Sequence, residues 1–563
     1  MPHLGRPFNA RAALHALFDD PLPARAASPA QRRAFHEYFV THLPSSSLAP
    51  DKQPAPAAPR PSPSSTSTST SASARSAAPA PASRDTTIVR IPIRSAKHHF
   101  GAGVSRGERP SNEDTYQAGT IEMPAFATPQ PVSLHASPPS GASASAGVKS
   151  EVGDPQVFYF GVFDGHGGNE CSEFLRDRLH GYVEEAALLF GLQSSLHGSE
   201  GSGDSEGGIM GAQDPEDLQK SLVSSWRETV GGYFKRFRPE YFPAVVPQPD
   251  GAEPTTAVDH SSVETVLTYA FLKADLDFTA AQASKHSSTA AHAPARASTD
   301  DPVLSDRPLN DNDLLFHPDR PASQNLRHKP TPIPARPSST PDLKAPIGGP
   351  TRFKGGSTAS ALLISTPTPT PFWHPASPAT LLVAHVGDTR ILLCRTSDGL
   401  AQPLTTNHHP DSPVEASRLS RYASAFTTDS FGESRMGGLA NTRAFGDIGS
   451  KRLGVSAEPQ LSRLDLRPSE FSFAVLVSDG VSGTLSDQEI VDVVKEAATP
   501  ERAAQALVGF AVEVAESADN ATGLVVRLGG WERRAEGGRG GGGTREGREW
   551  RRREAADPRA RRQ

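Results

Sequence analysis

Cysteine is almost missing from this chain: only Cys171 and Cys394 occur in 563 residues. That excludes a disulfide framework and permits a reducing compartment. Long apolar runs are missing as well. None approaches the roughly 18 residues needed to cross a bilayer, so no transmembrane segment is expected, and no secretory h-region follows Met1. Charge of one sign is missing too. A formal net charge of -6 is not that of a polycation seeking nucleic acid, and no specific nucleic-acid partner is expected. The exception is local: the stretch after Leu528 holds 11 Arg against 6 acidic residues.

What is abundant is proline and glycine, with 52 and 48 residues. Much of the proline lies in Ser/Thr/Ala-rich stretches that bury too little apolar surface to offset chain entropy. The organisation that follows has three parts. Residues 1–87 form an N-terminal extension, low in complexity from about Pro54 to Ser83, which reads either as a mitochondrial presequence or as a disordered extension with one short helix near Arg32–Tyr38. Its first 50 residues carry Arg6, Arg11, Arg25, Arg32 and Arg33, but also Asp19, Asp20 and Glu37, which a presequence should lack. Residues 88–528 form one domain with surface insertions near 120–155, 191–215 and 280–350. Residues 529–563 form a basic, Gly/Arg-rich tail that reads as disordered and solvated.

Within the domain, apolar periodicity locates the elements. Phe174, Leu175, Leu179, Tyr182 and Val183 recur at helical spacing, as do Leu218, Leu222, Trp226 and Val230, and Val263, Val266, Leu267, Ala270 and Phe271. Thr499-Pro500 reads as an N-cap with Pro at the first helical position. Strands are expected at 88–93, Val157–Phe163, Ala359–Ile364, Thr380–Val386, Arg390–Cys394, Phe473–Val477 and Gly523–Leu528. Their continuous apolarity predicts cover on both faces. Strands 380–386 and 390–394, split by Gly387-Asp388-Thr389, read as a hairpin. The fold class is α+β with mainly antiparallel sheets.

Several carboxylates stand where strands stop: Glu113 and Asp114 in RPSNED, Asp164 before Gly165, Asp388 in HVGDTR, Asp479 before Gly480, and Asp519 before Asn520. One such Asp is ordinarily a turn residue. As a converging set they would repel one another, and must then protonate or hold cations. Hard oxygen ligands without Cys, beside a Gly that exposes its carbonyl, favour magnesium or manganese. His166, directly after Asp164-Gly165, is placed to protonate a leaving alkoxide, and Arg109 offers a guanidinium fork to phosphate oxygens. The bland readings are a packed turn histidine and a surface cation. Together the residues describe hydrolysis of a phosphate ester at two metal ions.

The motifs RPSNED, VFDGHGG, GGSTASALLIS, VAHVGDTR, LANTRAFGD, LVSDGVSG and ADNATGLVV occur in the order found in the metal-dependent protein serine/threonine phosphatases of type 2C. The chain resembles that family from about Ile88 to Leu528, and most resembles its fungal mitochondrial branch. The resemblance implies a four-layer α-β-β-α sandwich of two mainly antiparallel sheets, phosphorylated protein substrates and two Mg2+ or Mn2+ ions. By position, Asp164 would bridge both metals, with the Gly165 carbonyl helping to hold one. Asp479 and Asp519 would hold the first metal, and Glu113 and Asp114 would act through metal-bound waters. Arg109 would bind phosphate and His166 would be the general acid. Asp388 matches a residue tied to a third metal, but Gly483 stands where many members carry another carboxylate for it. The segment Thr427 to Met436 would flank the site as a flap. A mitochondrial or a cytoplasmic location and a monomer are expected. The alternative to an active phosphatase is a catalytically weak or inactive scaffold that binds phosphoproteins.

Overall fold

The structure is a computed structural model and describes residues 38–44, 86–92, 99–129, 154–196, 213–245, 261–285, 347–420, 426–428, 434–436, 438–515, 518–534 and 541–556. The three insertions lie largely outside these residues, as does the helix expected near Arg32–Tyr38.

Two sheets form the centre. The first has the spatial order β13-β7-β6-β5-β4, made of β4 (Thr115–Ile121), β5 (Val157–His166), β6 (Gly356–Ser365), β7 (Ala379–Val386) and β13 (Gln460–Leu466). The two-residue β12 (Phe445–Gly446) also pairs with β6. The second has the order β3-β15-β14-β8-β9, made of β3 (Phe100–Ser105), β8 (Arg390–Arg395), β9 (Ala401–Pro403), β14 (Phe471–Val477) and β15 (Ala521–Arg527). All pairings in both sheets are antiparallel.

The alternation of side chains along a strand builds the layers. On β5, Phe158, Phe160 and Val162 point between the sheets, and Val157, Tyr159 and Phe163 point outward into a helix-covered core. On β14, Ala474 and Leu476 face the inter-sheet core, while Phe473, Val475 and Val477 face helices on the opposite side. The first sheet is covered by α1 (Glu170–Leu189), α2 (Pro215–Val230) and α3 (Val263–Ala283). The second is covered by α7 (Asp487–Lys495) and α8 (Pro500–Val514). The chain thus adopts the expected α-β-β-α sandwich. Short helices α4 (Pro413–Ser420), α5 (Ile448–Lys451) and α6 (Asp479–Ser482) lie in the connections. Among the described residues no helix is long and apolar enough to cross a membrane.

Local signals explain the helix starts. The Thr499 hydroxyl accepts from the Arg502 N–H at 3.3 Å, and Pro500 opens α8 as expected. Helix α8 then lies directly on β3, because Gly103 has no Cβ where one would meet the Ala504 backbone.

Three expectations change. Strands β7 and β8 are not a hairpin: β7 pairs with β6 and β13, and β8 pairs with β14 and β9, in different sheets. Both are buried on two faces, so each needs partners that a lone hairpin would not supply. Gly387, at φ 104, turns the chain from one sheet to the other and leaves Asp388 at the crossing. Second, the N-terminal extension contains a strand, β1 (Tyr38–Pro44), paired along its length with β2 (Thr86–Pro92), so the facing backbone groups of the two segments satisfy each other. Third, the basic tail carries a helix, α9 (Gly541–Ala556), packed on α7 and α8. Its Arg residues meet Glu489, Glu496 and Glu513, so acids outside the tail, not only those within it, decide its fate. The expected flap contributes a small pair, β10 (Phe426–Thr428) with β11 (Ser434–Met436).

Candidate metal centre

The strand ends converge on a cleft of about 930 Å³ at one end of the sandwich. Strand β5 delivers Asp164, Gly165 and His166, the crossing after β7 delivers Asp388, the end of β14 delivers Asp479, and the approach to β15 delivers Asp519. Arg109 and Glu113 line the same cleft from the loop before β4.

Close backbone approach explains why this end is rich in glycine. The loop carrying Glu113 crosses over β5, and a Cβ on Gly165 would lie 2.5 Å from the Glu113 carbonyl oxygen. Asn520 pins that loop: its Oδ1 accepts from the Glu113 N–H at 2.8 Å, and its Nδ2 donates to the Arg106 and Ser111 carbonyls at 2.9 Å.

Asp164, Asp388 and Asp479 each offer a carboxylate oxygen, and the three lie within 4.8 Å of one another. The crowding is visible in their acidity. Burial, reinforced by Asp479, Asp114 and Asp388, pushes Asp164 well above the usual carboxylate range. Loss of solvent on the cleft floor and the facing Asp388 push Asp479 up to about 7. Asp114 is buried behind the cleft, accepts from Ser478 Oγ at 2.7 Å, and is raised to about 6 by that burial. Its Oδ1 has no hydrogen-bond partner among the described residues. For Asp388, burial acts in the opposite sense to its neighbours: His409 at 3.4 Å and Asn441 Nδ2 at 2.9 Å outweigh it and hold the carboxyl below its ordinary range. An all-oxygen cluster, short of positive charge and with a buried unpartnered oxygen behind it, fits hard divalent cations.

Two expected residues meet each other instead. Arg109 Nη2 donates to Asp519 Oδ2 at 2.6 Å, so the fork expected on phosphate and the carboxylate expected on metal form an ion pair at the cleft rim. The tight triad therefore includes Asp388 in the place where Asp519 was expected. Gly483 lines the cleft and contributes no carboxylate.

Sequence reasoning missed the orienting residues. Asn441 and His409 steady Asp388, and Asp447 binds His166: the imidazole Nε2 lies 2.8 Å and 3.0 Å from the two carboxylate oxygens. Burial alone would push His166 down, but Asp447 reverses this and holds it above its ordinary value. Asn441 and Asp447 both sit in the LANTRAFGD run, whose polar residues framed by apolar ones were the available signal.

Residues 348–520 match the family model Protein phosphatase 2C. Over those residues the chain is similar to protein phosphatase 2C. Among curated relatives, Protein phosphatase 2C homolog 4 of Schizosaccharomyces pombe is 29% identical over 447 residues, covering 79% of this chain and 84% of that protein. Protein phosphatase 1K, mitochondrial, of Xenopus laevis is 38% identical over 152 residues, 27% of this chain and 40% of that one. Probable protein phosphatase 2C 71 of Arabidopsis thaliana is 40% identical over 149 residues, 26% of this chain and 32% of that one. The chain thus spans most of the Schizosaccharomyces pombe relative but under half the length of the other two.

Proposed function

We propose that this chain removes phosphate from phosphoserine and phosphothreonine in proteins, using two Mg2+ or Mn2+ ions held in the cleft. The observation that carries the reading is the triad Asp164, Asp388 and Asp479 within 4.8 Å, at the meeting of two sheets and beside Arg109 and His166. Asp164, Asp388 and Asp479, the Gly165 carbonyl, Asp519 once phosphate draws Arg109 from it and, through water, Glu113 and Asp114 would hold the ions. Bound there, such cations supply a nucleophilic water near neutral pH and neutralise phosphate oxygens. Arg109 sits at the rim with its fork toward the cleft, where phosphate oxygens would compete with Asp519 for it. Water adds to phosphorus, the P–O bond to the Ser or Thr oxygen breaks, and His166 delivers a proton to that oxygen.

The test is hydrolysis of p-nitrophenyl phosphate and a phosphothreonine peptide by the full chain, with manganese or magnesium and then with excess chelator. Activity that needs the metal and falls on the order of 1,000-fold in Asp164→Asn supports the reading. Metal-independent activity, or a variant as fast as the wild type, rejects it.

Location follows as a second proposal. The five Arg residues of the first 50 positions, and a relative whose own name places it in mitochondria, support a mitochondrial phosphatase. Residues 1–50 fused to a fluorescent reporter should reach mitochondria, and a diffuse cytosolic signal would reject the idea.

A further inference from the structure

His166 is held from behind by a chain of buried polar contacts. Asp447, its partner, is buried and has φ 44, the left-handed region that non-glycine residues seldom occupy. The strain is fixed from both sides. The Asp447 N–H donates to the Gly355 carbonyl at 3.0 Å. The preceding Gly446 N–H donates to Asp275 Oδ1 on α3 at 2.9 Å. Asp275 also pairs with Lys451 on α5, at 2.5 Å, and both side chains are fully buried. Lys451 in turn donates to the Ala444 carbonyl at 2.8 Å. Asp275 and Lys451 therefore clasp the turn Ala444–Asp447 between two helices. On the facing strand, Gly356 lacks a Cβ where one would collide with the Asp447 carboxylate.

A fully buried ion pair contributes little net stability, since desolvation consumes most of its Coulombic gain. Backbone strain persists only where the surroundings over-determine it. Both features converge on the orientation of one carboxylate, and that carboxylate faces one imidazole nitrogen.

We propose that Asp447 is a positioning residue for His166, held in place by the Asp275–Lys451 pair. Its carboxylate accepts the Nε2–H hydrogen bond, which fixes the ring and leaves Nδ1 as the nitrogen that carries the transferable proton. When Nδ1 gives that proton to the departing Ser or Thr oxygen, the ring is left as the neutral Nε2–H tautomer, still bonded to Asp447. This rests on the reading of His166 as general acid.

The experiment compares full-length wild type, His166→Gln, Asp447→Asn and the double variant on p-nitrophenyl phosphate and a phosphothreonine peptide. Asn suits the left-handed backbone, so Asp447→Asn removes the charge with little backbone penalty. A general acid matters on the order of 100-fold for a poor leaving group and far less for p-nitrophenolate. His166→Gln should lose about that much on the peptide. Asp447→Asn should lose on the order of tenfold on the peptide and much less on p-nitrophenyl phosphate, and the double variant should be no slower than His166→Gln. Equal losses of Asp447→Asn on both substrates, or additive losses in the double variant, would overturn the positioning role while leaving the general acid standing. Equal losses of His166→Gln on both substrates would overturn the general-acid reading and the positioning role with it. A readout that needs no variant is nitrogen NMR of labelled histidine in the magnesium-loaded wild type. His166 in its neutral form should be the Nε2–H tautomer, and an Nδ1–H tautomer would refute the proposal.

Discussion

Two groups of carboxylates in this molecule, one buried and one gathered at the cleft, are built from the same chemistry and end in opposite states. Glu415, on α4, receives Arg418 at 2.7 Å on one oxygen and Arg443 at 2.7 Å on the other, with the Thr442 hydroxyl at 2.6 Å. Burial opposes its ionisation, yet the two guanidinium groups hold its carboxyl far below the usual range. Loss of solvent pushes Asp164, Asp479 and Asp114 upward, and for Asp164 and Asp479 the neighbouring carboxylates reinforce it. The difference teaches where charge balance is internal and where it must come from outside. Glu415 is complete within the chain and serves the fold. In the cleft Asp164, Asp388 and Asp479 crowd within 4.8 Å of one another, an arrangement that could hold a cation.

The largest expected effect breaks the complete group. Glu415→Gln leaves two buried guanidinium groups without their carboxylate and should cost about 3 kcal/mol or more in urea unfolding. A loss under about 1 kcal/mol would mean that Glu415 is not the centre of the knot. The matching change in the cleft should have the opposite sign. In metal-free protein at pH 8, Asp164→Asn removes repulsion and should stabilise on the order of 1 kcal/mol. Destabilisation there would undo the contrast.

The pH dependence of unfolding separates the groups in one experiment. Asp114 and Asp479 lie at about 6 and about 7 in the fold against an ordinary value of 3.8. Between about pH 4 and 7 the metal-free folded state therefore binds protons that the unfolded chain has released, so their contribution to stability falls as pH rises, by up to about 1.4 kcal/mol per pH unit for each proton. Saturating manganese competes with those protons and should flatten this limb. Glu415 is depressed, so its contribution is fully present above its ordinary value of 4.5 and is lost as pH falls below it. Melting temperatures from pH 3 to 8, with and without metal, should show both limbs. A neutral limb unchanged by manganese would remove the cluster's claim to the ion.

This contrast marks what the sequence could reveal. Periodicity located α1, α2, α3 and α8, because an apolar stripe must meet a core. The strand-end carboxylates were legible because Asp-Gly after an apolar run is local. Their partners were not. Arg109 reaches Asp519 across 410 positions, and His166 reaches Asp447 across 281. Such pairings depend on how sheets stack, which no local pattern encodes. The crossing at Gly387 was misread for a related reason: a short Gly-containing link looks the same whether its strands pair or part. Glu415 went unnoticed because an acid beside Pro413 resembles an ordinary first-turn residue until Arg443 folds back onto it.

The smallest expected effect lies at the surface, where helix α9 uses the same ion-pair chemistry in water. Arg551 meets both Glu489 oxygens at 2.9 Å and 3.0 Å and donates to the Thr484 carbonyl at 3.0 Å. Arg552 reaches Glu513 at 2.8 Å and lies over the Phe510 ring. Surface pairs of this kind, half-buried for Arg551 and exposed for Arg552, contribute on the order of 1 kcal/mol or less and weaken with salt. Arg551→Gln should therefore leave global unfolding nearly unchanged, while hydrogen exchange in residues 541–556 accelerates, and high salt should do the same to the wild type. Thr484 lies between Gly483 and Leu485, which line the cleft. If release of α9 also raises KM for the phosphopeptide, the tail steadies one wall of the catalytic cleft. If exchange in α9 is already fast in the wild type and indifferent to salt, the tail is solvated and the surface pairs contribute nothing, which would leave the buried knot around Glu415 as the place where internal ion pairing matters.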